Sequence, residues 1–228
     1  MTRPVTLALI AGLAGWVPVS AQTPPPRPVH RFEASVGGVW MSGAGLGGNP
    51  AELRGNSTPP EEFTLFATDT RIERSAGFDG RVAFWITRSI ALEAGFVMTT
   101  PVVQTRVSRD AEGAEALTLE EDLDQYFVEA AAVLLLERFR LGERTVPFVS
   151  GGGGYLRQLH EGRTLVQTGQ VYHVGGGLRH WLHLRERGFL RAAGVRVDAR
   201  AYILVDGFSL DDSPRPHGAI SGSFFVTF

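Results

Sequence analysis

Four groups of residues have types and spacing that could do chemistry. Gly43, Gly45 and Gly48 match the G-x-G-x-x-G pattern whose backbone approaches a dinucleotide pyrophosphate. That chemistry needs a strand before the glycines and a helix after them. Here Asn49-Pro50 follows and no strand–helix–strand unit surrounds them, so a flexible loop is expected. Ser150 to Tyr155 contains four consecutive glycines, but a phosphate-binding loop also needs a lysine, and the chain has none. His173, His180 and His183 could serve as general bases, given a serine within hydrogen-bond reach and a third group to orient the ring. No His-x-Ser pairing occurs around His173 or His180, so His173 reads as a polar interior residue and His180 and His183 as boundary residues. The acidic run from Asp110 to Asp124, with Asp206, Asp211 and Asp212 later, offers oxygen ligands for a divalent cation. It lacks the Asp-x-Asp-x-Asp-Gly spacing of a calcium loop, and a solvated loop is expected.

Composition narrows the classes further. The 228 residues suffice for one domain with a sizeable core, and 43% hydrophobic content is too much for wholesale disorder. Net charge is −2 and every cation except histidine is arginine, so no basic face is set aside for nucleic acid. With no cysteine there is no disulfide framework, thiolate metal site or thiol nucleophile. No cofactor and no metal are expected.

Residues 1–21 read as an export signal. Arg3 supplies a positive start, Val5 to Val17 an apolar stretch, and Val19-Ser20-Ala21 the small residues before a cleavage point after Ala21. That stretch is too short to span about 30 Å of hydrocarbon as a helix. Residues 22–30, with Pro24, Pro25, Pro26 and Pro28, read as an extended lead-in, and the folded domain as residues 31–228.

From Arg31 onward the hydrophobic period is two. Phe32, Ala34, Val36, Gly38 and Trp40 alternate with Glu33, Ser35 and Gly37. Ala76, Phe78, Val82, Phe84 and Ile86 alternate with Ser75, Asp79 and Arg81, and Phe63 to Arg74 could extend that strand outward. Ile90 to Met98 opposes Glu93, and Tyr126 to Leu136 opposes Glu129 and Glu137. Arg144 to Gln158 is a glycine-rich strand with no assignable parity. Tyr172, Val174 and Leu178 oppose His173 and Arg179; Ala193, Val195, Val197, Ala199 and Ala201 oppose Arg196, Asp198 and Arg200; Gly218 to Phe228 ends the chain. Ala114 to Arg138 also fits a helical stripe, but a helix there would leave seven strands and break an even closure, so Asp124 to Arg138 is read as a strand.

That pattern predicts an all-β fold, an eight-stranded antiparallel up-and-down transmembrane β-barrel. Thr87–Ser89, Phe139–Glu143 and His183–Arg187 are short connections. Ser42 to about Glu62, Arg109–Leu123 and Phe208–His217 are longer, with His160–Arg163 the exception, the layout of short turns at one rim and long loops at the other. Hydrocarbon admits only helices and closed barrels, because every backbone polar group needs a partner. Alternation alone does not say which face points inward, and a soluble barrel of lipocalin type would reverse the faces. The polar face carries both signs, Glu33, Asp79, Arg81, Glu93, Glu129, Arg179, Arg196, Asp198 and Arg200, as a self-neutralising lumen would. Eight strands enclose a space that side chains can fill, so a plugged lumen is expected.

The ending Ser223-Phe224-Phe225-Val226-Thr227-Phe228 resembles the C-terminal assembly signal of outer-membrane proteins, carried by Phe224, Val226 and Phe228. With Pro147 to Tyr155 and Gly194 to Arg200, it resembles the bacterial small outer-membrane β-barrel family typified by the membrane domain of outer membrane protein A. The resemblance implies insertion by the barrel-assembly machinery, a monomer in outer-membrane lipid, and a structural or surface-interaction role without catalysis. Some barrels of this kind hydrolyse or transfer acyl chains through serine and histidine. A lipid-modifying enzyme is therefore one alternative, and an adhesin or receptor acting through its loops is another.

Overall fold

The computed structural model describes residues 31–54, 62–108, 115–160, 166–184, 189–205 and 215–228. The signal and lead-in, Asp110, Glu112, Arg185, Arg187, Asp206, Asp211 and Asp212 lie outside the described residues. Twelve strands follow in chain order: β1 (Phe32–Met41), β2 (Ala44–Gly47), β3 (Pro50–Arg54), β4 (Glu62–Ile72), β5 (Ser75–Trp85), β6 (Ile90–Thr99), β7 (Val102–Ser108), β8 (Leu117–Leu135), β9 (Thr145–His160), β10 (Val166–Leu184), β11 (Ala192–Val205) and β12 (Arg215–Thr227).

Eight of the twelve close on themselves in the order β1-β5-β6-β8-β9-β10-β11-β12, every neighbouring pair antiparallel. Closure is between first and last strands, with Val36 opposite Phe224, and the Phe228 amide donates to the Phe32 carbonyl at 2.9 Å. Both ends of the barrel chain therefore stand at the short-turn rim, as an even strand count requires. Closure leaves the barrel without an open sheet edge.

The stretch with helical propensity is strand. Leu117–Leu135 is paired on both sides over its second half, to β6 and β9, and only a 3-10 turn at Glu137–Phe139 follows. Two ladders of backbone hydrogen bonds outweigh a per-residue preference of at most about 0.7 kcal/mol. In the glycine-rich β9, Val146, Phe148, Ser150, Leu156 and Gln158 are buried inward, while Val149, Tyr155 and Arg157 face out.

Part of what the sequence suggests is long loop is a second sheet. β2 and β3 both pair with β4, β4 with β7, and β7 with the first part of β8. This sheet rises from the rim opposite the short turns. β4 runs into β5 across Glu73–Arg74, and β6 into β7 across Thr100–Pro101, where proline cannot donate to a ladder. The glycines at 43 and 48 are therefore part of an ordered edge. A Cβ on Gly43 would lie 2.5 Å from the Ile72 carbonyl oxygen, and one on Gly48 1.9 Å from that of Thr68. Those positions are glycine because β4 passes too close for a side chain. Leu46, Ile72, Val103 and Leu123 form a small buried cluster at the foot of this sheet.

Candidate functional site in the barrel lumen

Alternation puts Arg196, Asp198 and Arg200 on the inner face of β11, between the outward Val195, Val197 and Ala199. Large charged side chains fit in the lumen because several strands of its wall carry glycine. A Cβ on Gly95 would lie 3.0 Å from Arg81 Nη1 and from Glu129 Oε1, and one on Gly175 2.7 Å from Arg200 Cγ.

All nine charged residues expected on the inner wall are buried there, five carboxylates and four guanidiniums, and each lies within ion-pair distance of an opposite charge. Arg81 is one hub: its Nε is 2.8 Å from Asp79, and its Nη1 is 3.0 Å from Glu93 and 2.7 Å from Glu129. Arg196 pairs with Glu93 and, through Nε at 3.0 Å, with Asp198. Arg200 contacts Asp198 at 2.5 Å and Asp79 at 3.4 Å, with Glu129 at 3.9 Å. Ser221 donates to Asp198 Oδ1 at 3.1 Å. Glu33 stands apart from this hub and pairs with Arg179 instead, accepting a hydrogen bond from Trp85 Nε1 at 3.2 Å.

The charge network occupies the middle of the lumen, and the buried Thr99, Gln125 and Gln158 lie nearer the long-loop rim. Toward the short turns, Trp85, Val133, Leu135, Phe148, Trp181 and Phe225 form an apolar layer. Toward the other rim Met41, Val97, Phe127, Leu156, Val171 and Tyr202 form a second. Arginines join the layers: the Arg179 guanidinium lies 4.3 Å from the Phe225 ring centroid and 5.0 Å from that of Trp85, and Arg196 lies 4.4 Å from that of Phe148. Cation–π contact of this kind is strongest where water is excluded.

Trp85 and Tyr202 are the members that reasoning from sequence passed over. Both were within reach, because Trp85 shares parity with Asp79 and Arg81, and Tyr202 with Arg196, Asp198 and Arg200. The histidines stay separate. His173 is buried beside Glu129 at 3.7 Å and against the Tyr202 ring, with centroids 5.3 Å apart, and neither of its ring nitrogens makes a hydrogen bond in the structure. His180 Nδ1 is 2.8 Å from Thr145 Oγ1 at the short-turn end, and His183 is exposed beyond it. Among the described residues no three histidine, aspartate or glutamate side chains are grouped to hold a metal ion. Of the acidic run, Glu120 accepts from Gln104 Nε2 at 2.9 Å, a partner within the second sheet. At the C-terminus Phe224, Val226 and Phe228 lie on the outer wall, and the Phe228 ring sits 4.9 Å from that of Phe189.

No family model matches the chain, and no curated protein matches it in sequence. Among solved structures it is similar to Neisserial surface protein A, with 11% identity and a TM-score of 0.51 over 86% of this chain and 97% of that one. It is also matched by Ail, the attachment invasion locus protein of Yersinia pestis, crystallised with the heparin analogue sucrose octasulfate. There the identity is 15% and the TM-score 0.45, over 87% of this chain and 99% of that one. The strand count, the first-to-last closure and the likeness to Neisserial surface protein A agree: the chain is a closed, eight-stranded antiparallel β-barrel with the fold of small outer-membrane proteins.

Proposed function

We propose that the chain is a non-enzymatic, monomeric barrel of the bacterial outer membrane whose lumen is shut, and which acts as a structural or surface-interaction element. The observation that carries this reading is the sidedness of the wall. Among the described residues of the eight barrel strands, the charged side chains between the rims face inward, whereas the outer face there is Val, Ile, Leu, Phe, Ala and Gly with Tyr and Trp near its edges, and outward charges such as Arg157 and Asp122 stand toward the long-loop rim. A soluble barrel has no use for an outer face of that kind. Lumen closure is supported by the three stacked layers, apolar, charged and apolar. A surface role is supported by the second sheet, which holds β2, β3, β4 and β7 beyond the rim on a rigid base. Against lipid-modifying chemistry, His173 is sealed inside and faces Glu129 and Tyr202 in place of a hydroxyl nucleophile.

We read the outer-wall Phe224, Val226 and Phe228 as the signal by which the barrel-assembly machinery recognises the chain. Fractionation should recover the mature protein in membranes, starting near Gln22, and detergent should be needed to release it. Removal of Phe228 should lower the inserted fraction several-fold with export and signal cleavage unchanged. Recovery from the soluble periplasm without detergent would support a lipocalin-like protein, and full insertion of the truncated chain would refute the assembly role.

A further inference from the structure

The outer wall carries a groove bordered by aromatic side chains. It runs across β6, β8, β9 and β10 and is lined by Phe96, Tyr126, Val128, Tyr155, Arg157 and Thr168. Strand register gives its layout: Val128 lies between Phe96 and Tyr155, and Arg157 lies between Tyr126 and Thr168. Arg157 is exposed between the buried Leu156 and Gln158, so its side chain leaves the wall on the outer side.

Its height follows from strand geometry. From Thr145 to Tyr155 the chain climbs about 25 Å, at roughly 3.3 Å per residue and a tilt of about 40°, which is the height of the apolar band of such barrels. Arg157 thus stands just beyond the band, at headgroup level, with the aromatic and aliphatic part of the groove below it. It makes no ion pair or hydrogen bond with any described residue. The carboxylate nearest in register, Asp124, stands opposite Leu159, further from the band, and is not paired with it.

We propose that this groove binds one anionic membrane lipid, its phosphate held by Arg157 with Tyr126 and Thr168, and an acyl chain lying over Val128 between Phe96 and Tyr155. A guanidinium presents planar paired donors that match phosphate oxygens, and it is free here to do so. Below Val128 the wall continues as Ala130 opposite Gly153, whose missing Cβ would meet the Tyr172 ring at 3.0 Å, so the aromatics border a low floor. This inference rests on the outer wall facing lipid.

The test is native mass spectrometry of protein reconstituted in vesicles of equal parts phosphatidylcholine and phosphatidylglycerol. The wild type should retain one phosphatidylglycerol in preference to phosphatidylcholine. R157Q, which removes the headgroup contact, and V128W, which fills the groove, should each lower that retention about tenfold. R88Q, in a short turn at the other rim, should leave it unchanged. Retention unaltered in R157Q, or equal retention of the two lipids by the wild type, overturns the proposal. Loss in V128W alone overturns the phosphate assignment. The two variants alter opposite ends of the groove, so if heat-modified migration shows one to be misfolded, the other decides. A protein that never enters the vesicles contradicts the membrane reading itself, a failure distinct from the loss of lipid.

Discussion

Glu93→Ala should destabilise the folded barrel by about 3 to 5 kcal/mol, the usual consequence of removing one partner from a buried charge pair. Glu93 is shared: Arg81 Nη1 lies 3.0 Å from Oε1, and Arg196 pairs with Oε2. Its loss leaves two guanidiniums, both buried, short of a counter-charge. Arg81 keeps Asp79 and Glu129, and Arg196 keeps Asp198, which holds the effect within that range. Urea titration of the detergent-folded protein, followed by heat-modified gel migration, measures it. Glu52→Ala, at an exposed position of β3, should change stability by no more than about 0.5 kcal/mol. Equal tolerance of the two substitutions would remove the structural role given to the charged layer.

Val197→Arg is the complementary experiment on the other face. Val197 is 54% exposed and lies between Arg196 and Asp198, which are 1% and 3% exposed, so neighbouring residues of one strand sample opposite environments. An arginine at mid-band facing hydrocarbon costs about 2 to 4 kcal/mol. Folding into lipid vesicles should be weakened by that amount, whereas Val197→Leu should fold like the wild type. In a water-soluble barrel Val197→Arg would be harmless or helpful, so the sign of the effect separates the two assignments of inside and outside.

How much of this was legible in the sequence depended on whether alternation was visible residue by residue. In β11 apolar and charged residues alternate from Val195 to Ala201, and both the strand and its inward face could be read off. In β12, Phe225 sits between Phe224 and Val226, and that unbroken apolar run hides an inward aromatic that joins the apolar cluster near the short turns. In β9 four glycines give no pattern at all, and the parity came only from its pairing with β8 and β10. The second sheet is not legible because Gly43 to Pro50 has the composition of a turn, while the reason for Gly43 and Gly48 is the close approach of the chain at Thr68 to Arg74. Ion-pair partners were the least readable. Arg196 and Glu93 are 103 residues apart and Arg179 and Glu33 146, so only barrel closure and register decide who meets whom.

Single-channel recording in planar bilayers is the most direct test of a membrane barrel whose lumen is shut. If the lumen is shut as proposed, purified, refolded protein added to the bilayer should insert with no stable conductance steps. Long-lived, porin-like conductance steps from the wild-type protein would contradict it.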